Sequence, residues 1–124
     1  MSDDYGVQLI QSPNGEKLYF RRDTRGLNYD SLSLSRNSNY CAEPDPNEAV
    51  IFNGHGDQPV FYKFEGNTLH IFDGGYIKMP PHFSDKVSVV VHKISNPEYI
   101  ALEQNYQKKG LARSEVPANL KCAR

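Results

Sequence analysis

Hydrophobic residues along this chain come in short runs divided by turn formers. In the centre, residues 50–52 (Val-Ile-Phe), 60–64 (Val-Phe-Tyr-Lys-Phe) and 69–72 (Leu-His-Ile-Phe) are set apart by Asn-Gly-His-Gly-Asp at 53–57 and Glu-Gly-Asn at 65–67. Asp-Gly-Gly follows at 73–75. β-Branched and aromatic side chains suit a pleated, half-buried surface, while Gly, Asn and Asp supply the backbone angles of tight turns. The pattern predicts an antiparallel β-meander.

The flanking sequence extends it. Residues 7–10 are a short apolar strand. Ser12-Pro13-Asn14-Gly15 is a turn signal, and the strand resumes over 16–22 as the second arm of a hairpin. Residues 30–35 alternate, Leu32 and Leu34 on one side and Ser31, Ser33 and Ser35 on the other, which predicts one dry and one wet face. Residues 37–48 and 73–84 read as loops. Residues 86–94 (Lys-Val-Ser-Val-Val-Val-His-Lys-Ile) carry apolar groups on both faces and are expected as a central strand. The period then changes. Asn96 is a candidate cap, Pro97 suits the first helical turn, Glu98 favours the positive end of the dipole, and Gly110 is a stop. A helix over 97–109 is expected to pack a Tyr99, Leu102, Tyr106 stripe on the sheet, with an irregular tail from 111 to 124. About seven strands and one late helix read as α+β: a mainly antiparallel sheet with a C-terminal helix packed on it, in a single domain over 1–124.

Composition narrows the class. With 124 residues, 38% hydrophobic and 23% charged, the chain is a globular domain and not a disordered one. A formal net charge of −1 argues against broad electrostatic binding to nucleic acid or anionic membrane. No run approaches the length of a membrane span. Residues 1–6 lack the basic and apolar regions of a secretory signal, so an extracytoplasmic setting rests on a leader removed upstream. Two cysteines, Cys41 and Cys122, lie in polar, irregular sequence: either a disulfide between them staples the tail to the sheet and marks an oxidising compartment, or they are two separate thiols of a cytosolic protein, with the disulfide the favoured reading.

Candidate chemistry is sparse. The four histidines, His55, His70, His82 and His92, show no zinc-ligand spacing, so neither metal nor cofactor is expected. His55 and Asp57 flank Gly56 and could form an oriented base, but no nucleophile is placed beside them; catalysis is not expected. Arg21, Arg22 and Arg25 cluster at a strand end, where they either hold a phosphate or carboxylate or discourage edge-to-edge pairing. Glu43, Asp45, Glu48 and Asp57 make the 43–57 stretch acidic, while Lys108, Lys109, Arg113, Lys121 and Arg124 make the tail basic. These charges either neutralise each other or leave an acidic loop aimed at a basic partner. Tyr76, Ile77, Met79 and Phe83 form either an interaction patch or a lid on the core.

Ser-Pro-Asn-Gly at 12–15, Gly-Leu-Asn-Tyr-Asp at 26–30, Leu-Ser-Leu-Ser at 32–35, and the meander ending in Thr-Leu-His-Ile at 68–71 resemble small bacterial envelope proteins, often lipoproteins. Those proteins open on a Ser-Pro-Asp-Gly turn, where this chain has Asn14, and Phe64 stands where they commonly carry Trp. The resemblance covers residues 12–72 and implies a periplasmic setting and a single sheet. By analogy with small proteins of this kind that neutralise secreted antibacterial toxins, a non-enzymatic protein-binding module is expected, an immunity protein in its sharpest form. Its partner surface is expected at Glu43, Asp45, Glu48, His55 and Asp57, acids and imidazole without a structural duty, with Tyr76 and Met79 as apolar anchors. The alternative is a module that binds a small molecule or carbohydrate on aromatic rings. A hydrolase built on His55 and Asp57 is a third reading.

Overall fold

The computed structural model describes residues 4–25, 29–52 and 58–122. Among them are nine strands and one helix: β1 (Asp4–Gln11), β2 (Lys17–Arg25), β3 (Tyr29–Ser35), β4 (Val50–Phe52), β5 (Phe61–Glu65), β6 (Thr68–Asp73), β7 (Ile77–Lys78), β8 (Ser88–Lys93), α1 (Asn96–Asn105) and β9 (Ala112–Arg113). The α+β class and the mainly antiparallel pairing are as expected. The single sheet is not: the strands divide into β1-β2-β3-β4-β7 and β8-β6-β5-β9.

Alternation explains why two sheets are stable together. Ile10, Leu18, Phe20, Leu32, Leu34, Val50 and Phe52 from the first sheet share one buried cluster with Val60, Tyr62, Leu69 and Ile71 from the second. The Phe20 ring lies 5.4 Å from that of Tyr62 and 6.4 Å from that of Phe52, so aromatic contacts cross the interface. Face-to-face packing of two half-apolar sheets buries both inner faces at once.

The segment expected as central, residues 86–94, is an edge strand. Among the described residues β8 pairs only with β6, and it runs parallel to it. A parallel return needs a long crossover; residues 74–87 supply it, adding β7 to the first sheet and sinking Phe83 and Val87 into the core. Val90 points outward and is 40% exposed, which accounts for the two-faced apolar pattern without central placement.

The wet face expected on β3 is also covered. Ser33 and Ser35 are buried with Arg21 and Asp23, and a small void there is bounded by Arg21, Ser33, Tyr40, Ala42 and Pro44 of the 36–49 loop. That loop is tied to the C-terminal tail by the Cys41–Cys122 disulfide, across 81 positions of sequence. The tail is docked in turn on β1, where Tyr5 and Leu120 exchange backbone hydrogen bonds of 2.9 and 2.8 Å. Gly6 permits this approach, since a Cβ there would fall 1.9 Å from the carbonyl oxygen of Pro117.

The helix caps the opposite side. Leu102 is buried with Phe61 and Leu111, and Tyr99 and Tyr106 pack beside them with rings 5.4 Å from Phe61. The Tyr99 hydroxyl donates to the Pro59 carbonyl at 2.6 Å. The helix ends at Asn105 rather than 109; residues 106–110 form turns, closed by Gly110 at φ 75° and by a Leu111 amide donating to the Tyr106 carbonyl.

Truncation of Phe61 to Ala removes the ring that joins β5 to the helix and to the turn after it, and is expected to cost about 3–5 kcal/mol in urea unfolding. Replacing both cysteines by Ser is expected to lower stability by at most about 4–5 kcal/mol in the chain-entropy model, read as a lower urea midpoint with native far-UV circular dichroism retained without denaturant.

Candidate functional site

Two surfaces carry the chemistry of the described residues. On the first sheet, the charged cluster at the end of β2 is engaged internally. Arg22 grips Asp30 with two hydrogen bonds of 2.9 and 3.1 Å and reaches the Val116 carbonyl. Arg25 pairs with Asp23 at 2.8 Å and with Glu43, which keeps its guanidinium firmly charged. Arg21 is buried and donates to the Ala42 carbonyl; burial lowers its pKa, and Asp23 and Glu43 partly oppose that. The cluster therefore clamps the acidic loop and is not an open anion site.

The acids of that loop separate into three situations. Glu43 is held by Arg25. Asp45 closes its own turn, its side chain accepting from the Asn47 amide at 2.9 Å and its carbonyl from the amides of Glu48 and Ala49. Glu48 is exposed, forms no ion pair among the described residues, and borders a hollow of about 260 Å³ with Ser35, Arg36 and Asn37. His55 and Asp57 lie outside the described residues. Tyr76 and Met79 stand on either side of the two-residue strand β7, exposed by 67% and 43%. The register Ile51↔Lys78 and Phe52↔Ile77 directs the chain after Lys78 toward the Glu48 end of β4. Of the anticipated residues, Met79 follows β7 toward the Glu48 end of β4 and Tyr76 precedes β7 at its other end, while Glu43 and Asp45 have structural duties.

The second surface is the outer face of the second sheet, and its central feature was not legible in sequence. Register places Phe61, Phe72 and His92 in one row, and Lys63, His70 and Val90 in the next. The parallel pairing of β6 with β8 thus brings together two histidines far apart in sequence. His70 Nδ1 and His92 Nε2 lie 2.8 Å apart and share one hydrogen bond. The His92 ring also stacks on Phe72 at 4.6 Å, with the two planes nearly parallel. Glu65 bonds Lys63 at 2.9 Å and sits 3.8 Å from His70 Nε2; chiefly the Lys63 hydrogen bond lowers its pKa. Among the described residues no group of three or more His, Cys, Asp or Glu side chains is arranged to hold a metal.

Between this row and α1 runs an open groove of about 380 Å³, floored by Phe72, Ile94, Leu102 and Leu111, with His92 in its wall and Lys63 and Lys109 at its rim. Glu98 also borders it, but its carboxylate is turned into the helix cap. The Ser95 amide and hydroxyl donate to Glu98 Oε1 at 3.2 and 2.9 Å, and the Glu98 amide donates to Ser95 Oγ. The cap is thus Ser95 and not Asn96, because the reciprocal box needs Ser three residues before Glu. A third concavity, about 400 Å³ beside Arg22 and Arg113, holds two guanidiniums already committed to Asp30 and Glu115.

Compared with protein-family models, with curated proteins and with solved structures, the chain finds no match.

The two hydrogen bonds from Ser95 hold the Glu98 carboxyl below its ordinary value of 4.5, the backbone bond first. A carboxyl with a depressed folded pKa stabilises the fold fully above its unfolded pKa, and that contribution fades as pH falls through the folded value. Glu98→Gln is therefore expected to flatten the acid limb of the stability–pH profile below about pH 4.5, measured by urea unfolding at stepped pH. Ser95→Ala is expected to cost about 0.5–2 kcal/mol at neutral pH.

Proposed function

We propose that this protein is a non-enzymatic binding module whose partner is another protein, docked along the β7 edge of the first sheet. One observation carries the reading: Tyr76 and Met79 flank a sheet edge and stay exposed although apolar. Solvent-exposed Tyr and Met at a strand edge that is unpaired among the described residues match the composition of protein interfaces and the geometry of strand addition. Glu48, carrying no internal partner among the described residues, adds a rim charge that would favour a basic surface.

A finer version makes the partner a secreted bacterial toxin and the setting periplasmic. It draws on the resemblance of residues 12–72 to envelope proteins and on the disulfide, a bond typical of oxidising compartments. No helix among the described residues is long and apolar enough to cross a membrane.

The test is affinity capture from an extract of the source cells with three baits: the unaltered protein, Tyr76→Ala/Met79→Ala, and Glu48→Lys. A protein retained by the unaltered bait is expected to fall by about tenfold or more with the double variant, as removal of buried anchors entails. Glu48→Lys is expected to weaken capture more at low salt than at high salt. Equal capture by all three baits, or no specific capture, overturns the proposal.

A further inference from the structure

The groove between α1 and the outer face of the second sheet lies on a different sheet from the β7 edge. We propose that it is a binding site for a small apolar molecule bearing one carboxylate.

Its shape and lining suit such a ligand. A volume of about 380 Å³ is within the range of small-molecule sites, and the floor of Phe72, Ile94, Leu102 and Leu111 offers apolar contact along its length. A carbohydrate is a poorer fit. Sugars stack on bare ring faces, and the Phe72 face is already covered by His92 at 4.6 Å.

Charge selects the acid. Two ammonium groups border the groove, Lys63 and Lys109. Lys109 forms no ion pair among the described residues, and Lys63 holds Glu65 only in a largely exposed pair, which a ligand carboxylate can displace at little cost. Glu98, the one acidic lining residue among the described residues, turns its carboxylate into the Ser95 cap and stays charged, so two ammonium groups face one carboxylate along the groove.

The experiment titrates octanoate, octanol and octylamine separately into ¹⁵N-labelled protein and follows amide shifts. Octanoate is expected to give saturable shifts clustered at Phe72, His92, Ala101 and Leu111. Octylamine is expected to bind more weakly than octanoate, by up to about fivefold, the most that one exposed ion pair allows, with octanol between them. Ala101→Trp fills the groove from an exposed helix position and removes no buried side chain; it is expected to abolish octanoate binding with the melting temperature retained. Lys109→Glu is expected to reverse the order of octanoate and octylamine. The proposal is overturned by non-saturating shifts, by shifts centred elsewhere, by octylamine binding as tightly as octanoate, or by undiminished octanoate affinity in a folded Ala101→Trp protein.

Discussion

The contact of Phe20 with Tyr62 and Phe52 is the point on which the rest of the molecule turns. Phe20 is fully buried, and its ring meets one aromatic from its own sheet and one from the facing sheet. Because side chains alternate along a strand, committing Phe20 and Tyr62 to a shared core commits their neighbours to the outside. Arg21 and Asp23 must then face away on one sheet, and Phe61, Lys63, His70 and His92 on the other. Both outer faces are consequences of that single interface.

Each outer face is resolved differently. On the first sheet, buried charge is met by internal partners: Arg25 takes Asp23 and Glu43, Arg21 takes the Ala42 carbonyl, and the disulfide holds the covering loop to a tail docked over Gly6. On the second sheet, the helix covers Phe61 and stops short of the histidine row, which leaves a groove. The β7 edge, too short to extend pairing far, leaves Tyr76 and Met79 outside. The exposed apolar side chains and the groove thus lie where the covering elements run out.

Much of this was legible in the sequence. Leu32 and Leu34 face the core as their alternation requires, the Ser-Pro-Asn-Gly turn closes the first hairpin, and Leu102 anchors a helix started by Pro97 and Glu98. A Cys41–Cys122 bond, favoured over two separate thiols by the polar sequence around both residues, is present. Other features were not readable for physical reasons. β7 and β9 have two residues each, too few for a period. Strands that follow one another in sequence do not reveal whether they also pair in space, so the division between β4 and β5 was invisible. The His70–His92 contact depends on a parallel register formed across a long crossover. The dry environment of Ser33 depends on a loop whose path is set by a disulfide and by ion pairs distant in sequence.

The central claim is the face-to-face pairing of two sheets through Phe20, and nuclear Overhauser spectroscopy on the oxidised protein tests it directly. Cross-peaks are expected between the rings of Phe20 and Tyr62, together with backbone contacts that pair residues 68–73 with 88–93 in parallel. A continuous antiparallel ladder joining residues 50–52 to 60–64, with no Phe20–Tyr62 cross-peak, would contradict it and return the molecule to one open meander.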